Sequence, residues 1–478
     1  MNRLPTEILA EIFAFLHPRI HHRYLPLIHA THVCRHWRDI ISSTPTSWTW
    51  INPKWSELLP LLLRLSEPAP IEVEISNLED FNPSFVDLLL PRSAKIAAFV
   101  LGFSAATRGY CSQIISRLQC MPNLRLLSIL AEPGLTPHPL PILSGGMPRL
   151  ESLTLSFFSY EQQVTQLTHL TTINITVDYS ALTNVIGLFA NNPKLRSAIL
   201  CGSFRDKSCQ RRHGAVRMDS LLQLDLLSWG TIPLLPFLTL GKGAHIRALG
   251  PASIAETVGT RDFLPSDTAF LPNLVGLKQL RWYIMARDTF LEFTGPNGGF
   301  SILLCWHDLH STIGSFPLGE IEEFYCESSN STLGPMTTTK ELNQIITTMV
   351  PAVSQLREIT FAMCANFLIQ AILPNLNRAV LLKRITLSHC DHPDPSHDIF
   401  HALLLFAKRR VSINAKLEEV RVVCRPYAQR PEFLDRRLSK AVGSFALVYQ
   451  PPSETRQTNI EIERRFPASI QKTYPLYT

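Results

Sequence analysis

The sequence predicts an α/β chain: a short helical module at the N-terminus, then an array of repeated, strand-bearing units. Three observations carry this. Apolar residues in the first fifty positions recur at helical spacing, from residue 93 one short apolar phrase returns again and again, and Gly295 to Gly299 separates two runs of alternating apolar residues. With 478 residues, 45% apolar and 18% charged, the chain can fill more than one domain, or one long array, under a lightly charged surface.

The helical module comes first. Leu4, Ile8, Leu9, Ile12, Phe13 and Leu16 lie on one stripe of a helix. Pro5 suits the first turn, where its missing N–H costs nothing, and Glu7 meets the positive end of the helix dipole. His17 precedes Pro18, which predicts a stop there. A second series, Leu27, Ala30, Val33, Trp37 and Ile40/Ile41, repeats the spacing until Ser42, Ser43, Thr44 and Pro45 end it. So small a module cannot bury all these side chains within itself, and an unfilled apolar face is usually an interface.

The segments LPTEILAEIFAFL, LPLIHATHVCRHWRDII and TPTSWTWI resemble the F-box, a short helical module near the N-terminus of many eukaryotic proteins. The likeness runs on through Trp48, Trp50 and LLLRLSEPAPIEVEIS, a continuation typical of mushroom-type fungal F-box proteins. The resemblance implies docking on a Skp-type adaptor and, through it, on a cullin. Leu4, Pro5, Ile8, Leu9, Ile12, Phe13, Leu16, Leu27, Val33 and Trp37 are then the candidate adaptor contacts. It also implies that the rest of the chain holds an unknown protein substrate for ubiquitination, with no catalytic residue and no cofactor of its own.

The repeated phrase is an apolar residue followed at +3 and +5 by two more. Its early copies start at Ile96, Leu124, Leu150, Leu170, Leu195 and Leu221, which are 28, 26, 20, 25 and 26 residues apart. Later copies start at Ile321, Leu356, Leu382 and Leu417. Phrase and period resemble the leucine-rich repeat, whose units run about 20–29 residues. The resemblance implies a curved solenoid with a parallel sheet: +3 and +5 point into the core, and each strand leads through a turn to a returning helix. Cys364 and Cys390, eight residues after their first leucine, fall where cysteine-containing repeats bury a thiol at the turn.

The array is irregular in its middle. GAHIRALGP is a weak copy with Ile246 and Leu249 as its apolar pair, and LVGLKQLRWYI is set with Leu277, Leu280 and Trp282. The alternating runs around Gly295-Pro296-Asn297-Gly298-Gly299 predict a β-hairpin. The expected organisation is an F-box over 1–51, a linker helix and first strand over 52–92, and the array over 93–428 with the hairpin inserted near 290–306. A helix and strand over 429–450 form an end cap, and 451–478 is a polar, Pro-punctuated tail expected to be disordered.

Other functions find little support. The net charge of +6 is mild and does not argue for nucleic acid. The longest apolar run, Ile96 to Ala106, is too short to span a bilayer, and no membrane partner is expected. Arg3 and Glu7 flank an amphipathic stretch unlike a signal peptide, so cytoplasm or nucleus is the expected location. Ten cysteines without a CxxC pair favour free, buried thiols. His32 and His36 stand at i, i+4, but Arg35 and Arg38 oppose a cation there, and no metal is expected from them or from His389-Cys390-Asp391-His392. Serine-hydrolase, P-loop, dinucleotide and kinase signatures are missing.

The substrate face should be built from the residues at +2, +4 and +6, on the concave side. Early repeats offer Ser152, Thr154, Ser156, Thr172, Asn174 and Thr176, with little anchoring power. Later ones offer Gln279, Arg281, Tyr283, Glu323, Tyr325, Glu327 and Glu358, a mixed aromatic and acidic patch suited to a partner with basic residues. The expected function is the substrate-receptor subunit of a Skp-cullin-F-box ubiquitin ligase. The alternative is a leucine-rich-repeat binding scaffold outside any ligase.

Overall fold

The computed structural model describes residues 4–16, 24–75, 84–104, 114, 117, 121–131, 147–156, 167–177, 181–204, 215–249, 271–284, 288–305, 309, 313–328, 339–388, 397–424 and 432–449. They fall into two compact units, the first running to Leu249 and the second from Asn273.

The first unit opens with α1 (Thr6–Ala14), α2 (Leu25–Thr31) and α3 (Arg35–Ser42). Pro5 stands at the N-cap of α1 with extended backbone, and Glu7 lies in the first turn. The helix ends at Ala14, short of the stop expected at His17, and His17 itself lies outside the described residues. At the start of α3 the Cys34 sulfur stands at the N-cap and accepts the Trp37 N–H at 3.5 Å. The Phe13 and Trp37 rings meet edge-on at 5.1 Å.

Nine strands follow in one parallel ladder. They are β1 (Trp50–Ile51), β2 (Ile71–Ile75), β3 (Ile96–Phe103), β4 (Leu126–Ala131), β5 (Ser152–Leu155), β6 (Thr172–Thr176), β7 (Ser197–Cys201), β9 (Gln223–Leu226) and β11 (His245–Leu249). Two short strands, β8 (Val216–Met218) and β10 (Leu238–Leu240), pair with each other. Helix α4 (Leu59–Leu65) and helix α5 (Ser84–Leu89) precede β2 and β3, and α6 (Leu182–Asn191) lies between β6 and β7.

Because side chains alternate along a strand, the +3 and +5 residues point one way and stack in columns across the ladder. Phe99, Leu127, Leu153, Ile173, Ala198 and Leu224 are consecutive register partners, as are Leu101, Ile129, Leu155, Ile175, Leu200 and Leu226. All twelve are buried. On β11 the inward residues are Ile246 and Ala248, paired with Leu224 and Leu226. This corrects the expected Ile246/Leu249 phasing: the copy starts at Gly243, whose φ of 89° suits glycine, so no leading leucine marks it.

In the second unit, β12 (Gln279–Ile284) lies between an antiparallel hairpin and a parallel ladder. The hairpin strands are β13 (Asp288–Gly295) and β14 (Gly298–Cys305). The ladder runs through β15 (Glu323–Ser328), β16 (Glu358–Ala362), β17 (Arg384–Ser388), β18 (Glu419–Cys424) and β19 (Ser444–Tyr449). The hairpin turns in two residues between Gly295 and Gly298. A Cβ at Gly295 would stand 2.6 Å from the Gly276 carbonyl oxygen, so only glycine lets the strand end lie that close. Helices α7 (Thr339–Ala352), α8 (Asn366–Asn375), α9 (His397–Ser412) and α10 (Glu432–Ala441) pack one against the next and bury their apolar faces.

Two buried polar side chains tie the turns together. Asn192, after α6, donates to the Leu167 and Leu188 carbonyls and accepts the Leu170 N–H. Arg410, near the end of α9, is fully buried and donates to the carbonyls of Ala379, Val380, Leu382 and Ala415 at 2.7 to 3.0 Å. Burial lowers its guanidinium pKa, and carbonyl oxygens rather than a carboxylate satisfy its donors.

The inward columns set a measurable cost. Leu153→Ala or Leu224→Ala should lower the unfolding free energy by about 2–5 kcal/mol, because the cavity cannot collapse between fixed neighbours. Denaturant melts of the full chain would show it, and an unchanged midpoint in both variants would contradict the column packing.

Candidate functional site

The N-terminal helices present two apolar faces rather than one. Leu9 and Phe13 face inward with Leu27 and are buried, whereas Leu4, Ile8, Ile12 and Phe15 run along the outside of α1. Phe15, 72% exposed, was not among the expected contacts, although its spacing from Ile8 and Ile12 puts it on their stripe. Leu25 and Val33 are exposed as well, as is Pro5, and Leu16 and Trp37 are half-buried. Large aliphatic and aromatic side chains left exposed along one helix form an apolar stripe, a feature that marks interaction sites in soluble proteins.

The module is joined to the sheet without a break. Tyr24 sits in a cluster with Trp48, Trp50 and Trp55, ring centroids 5.8 to 6.0 Å from its own, and its hydroxyl donates to the Trp50 carbonyl. Burial pushes that phenol well above its ordinary pKa. Trp50 and Ile51 then pair with Glu72 and Val73, and the Trp50 indole N–H donates to Glu74 at 2.9 Å. Residues 1–54 match the family model described as F-box-like. The chain carries an F-box-like domain. Its matched span holds α1, α2, α3 and β1, so the domain supplies the first strand of the ladder.

No curated protein matches the chain. Among solved structures, one titled "Crystal structure of Rad7 and Elc1 complex in yeast" aligns over 89% of this chain and 90% of that chain, at 11% identity and a TM-score of 0.22. A score that low does not establish a common fold.

On the second unit, β12, β13, β15 and β16 bring the expected substrate-face residues onto one surface. Gln279, Glu323 and Glu358 are register partners in one row, and Arg281 and Tyr325 in the next. Tyr283 and Glu327 share a third row, but both are buried. The patch is largely self-satisfied. Gln279 donates to Glu323 at 2.8 Å and accepts from Thr294 at 3.0 Å, Arg281 lies 3.7 Å from Glu292, and Arg384 donates to Glu358 at 2.9 Å. Glu292 and Arg384 were not among the expected residues. Glu292 lies on the hairpin, opposite Arg281 in register, and Arg384 opposite Glu358 on β17, so the pairs exist only once the strands are paired.

The first unit adds an ion pair of its own. Arg247 on β11 grips the buried Asp225 on β9 with two bonds of 2.8 and 3.0 Å, and Gln223 donates to the same carboxylate at 2.7 Å. Of the two repeat cysteines, Cys364 is fully buried with its sulfur 3.2 Å from the Cys326 carbonyl and 3.8 Å from the Cys326 sulfur. Burial raises its thiol pKa well above the ordinary value, which makes it a poor nucleophile. Cys390 and its histidine neighbours lie outside the described residues, and His32 and His36 are both exposed. Among the described residues no group of three or more potential metal ligands comes together.

Glu327 is a buried carboxyl at the edge of this surface. Burial raises its pKa, against the lowering effect of the Tyr325 hydroxyl that donates to it at 2.8 Å. A folded-state pKa above the unfolded one means that the stability linked to this proton is complete below the unfolded pKa and is lost as pH rises through the folded value. Glu327→Gln keeps an acceptor for Tyr325 without the charge. Its melting temperature should exceed wild type at pH 8 and match it at pH 4, and an equal shift at both pH values would rule the carboxyl out.

Proposed function

We propose that the chain is the substrate-receptor subunit of a Skp-cullin-F-box ubiquitin ligase, working in the cytoplasm or nucleus. The observation that carries this is the open stripe of Leu4, Ile8, Ile12 and Phe15 on α1, within the F-box-like domain. The stripe would dock on a Skp-type adaptor and reach a cullin through it. Leu9, Phe13 and Leu27 would act indirectly, by holding α1 against the module's interior. The receptor would contribute positioning alone, keeping a substrate lysine near the loaded conjugating enzyme, while the bond-making groups belong to its partners.

The substrate would lie on the second unit's outer sheet face. Arg281 and Tyr325 stay partly exposed beside Glu323 and combine apolar area with directed polar groups, the features that dominate interface energetics.

Two variants test the two halves separately. Ile8→Asp places a charge in the middle of the stripe without touching the buried Leu9 side, and truncating such an anchor typically costs about 2 kcal/mol or more. It should abolish adaptor pull-down while the melting profile stays as in wild type, and normal adaptor recovery would overturn the docking assignment. Arg281→Ala combined with Tyr325→Ala should retain adaptor and cullin but lose the recruited protein. Recovery of the same proteins as wild type would move the substrate site elsewhere.

A further inference from the structure

We propose that the turn Arg378–Leu381 and the adjacent C-terminal end of α9, Val411–Ile413, form a peripheral docking surface for an anionic lipid bilayer. The inference does not depend on the adaptor reading. It rests on three observations that coincide at one place.

The first is exposure. Val380 is 61% exposed, and Leu381, Val411 and Ile413 are 42 to 46% exposed. Scattered surface aliphatics are ordinary, but four on a turn and an adjacent helix end make a patch. The repeat does not require them. The two positions before the leading leucine are Pro122-Asn123, Pro148-Arg149, Pro193-Lys194 and Ser354-Gln355 in other copies, against Val380-Leu381 here.

The second is rigidity. The Arg410 side chain ties both segments at once, bonded to the carbonyls of Ala379, Val380 and Leu382 on one side and Ala415 on the other. Asn414, at a φ of 60°, closes the turn after α9. Held this way, the tips cannot fold over to cover their own aliphatic side chains.

The third is charge. Arg378, Lys408, Arg409 and Lys416 each stand within three residues of an aliphatic tip along the chain and are all exposed. None has a carboxylate partner among the described residues. Glu418, next in the chain after Lys416 and Leu417, is already held by Lys383 at 2.7 Å. A bilayer interface accepts both halves of this arrangement, aliphatic groups at the acyl boundary and cations among anionic headgroups. A protein partner would gain less, because valine and leucine tips without an aromatic anchor are weak hot spots. No helix among the described residues is long and apolar enough to cross a membrane, so the contact would be peripheral.

The test is flotation of the full chain with vesicles of phosphatidylcholine alone and of phosphatidylcholine with phosphatidylserine. The expected result is co-flotation with the anionic vesicles only, weakened by added salt. Lys408→Glu with Arg409→Glu should cut the bound fraction at least about tenfold. Val380→Ser with Leu381→Ser, which leaves every charge in place, should also lower it. Both variants should keep wild-type melting curves and wild-type adaptor recovery, which separates this surface from the F-box-like domain. No co-flotation with anionic vesicles overturns the proposal, as does binding unchanged by either double variant. Loss in the charge variant alone, with equal binding to soluble poly-glutamate, overturns it in favour of an acidic protein partner.

Discussion

Each strand of either ladder depends on its neighbour to hold it in register, and the holding is done by the backbone just before the strand. The N–H of the residue after each leading apolar position donates to the carbonyl of its counterpart in the preceding repeat. In the first unit this joins Ala97, Arg125, Glu151, Thr171, Arg196 and Leu222, at 2.8 or 2.9 Å throughout. In the second it joins Lys278, Glu322, Arg357, Lys383 and Glu418 over the same distances. Everything inward follows from that chain of bonds. Slipping one strand by a residue would turn its +3 and +5 side chains out of the columns and leave every neighbouring column with a gap. The bonds use no side chain, which is why the row itself can carry arginine, glutamate, threonine or leucine.

The turns between strand and helix face the opposite difficulty. Their carbonyls are buried, and no ladder reaches them. Asn192 and Arg410 meet the same demand with different chemistry, an amide that both donates and accepts and a guanidinium that only donates. The guanidinium reaches further, spanning two consecutive turns and lying over the Phe406 ring, 6.0 Å from its centroid. A buried cation without a carboxylate is tolerable because four carbonyl dipoles converge on it.

Much of this could be read in the sequence, and the misses have physical causes. The +3/+5 phrase reports which residues face the core because a two-residue period survives any substitution among leucine, isoleucine, valine and phenylalanine. It fails at β11, where the leading residue is Gly243 and the second inward one is Ala248: with two of the three positions small, Ile246 alone does not make the phrase. The period also gives the face of a residue without its depth. Tyr283 and Glu327 stand on the predicted face yet lie buried, Tyr283 against Phe290 and Tyr325 at 5.8 and 6.0 Å, since the hairpin partner of β12 brings Phe290 beside it. The pairs Arg281–Glu292 and Arg247–Asp225 join residues from different strands, and no local spacing announces them.

The N-terminal module shows how a sequence boundary and a packing boundary can disagree. The family match ends at residue 54, but the packing does not. The Tyr24 hydroxyl closes on the Trp50 carbonyl, the Glu72 N–H donates to the Thr49 carbonyl at 2.8 Å, and the Trp50 indole reaches Glu74. A strand that belongs to the helical module by sequence is thus also the first rung of the ladder. Removing the module would strip β2 of one of its two backbone partners, β3 being the other, and open Ile71, Val73 and Ile75, all buried, along that edge. The apolar demand of α1 splits in the same way: Leu9 and Phe13 spend their surface on the module's interior, and Ile8 and Ile12 cannot. An open stripe on a helix that is itself anchored, through α3 and the tryptophan cluster, to the start of a sheet is held in one orientation relative to that sheet. The direction in which the stripe faces is therefore set in part by the backbone pairing of Trp50 and Ile51 with β2.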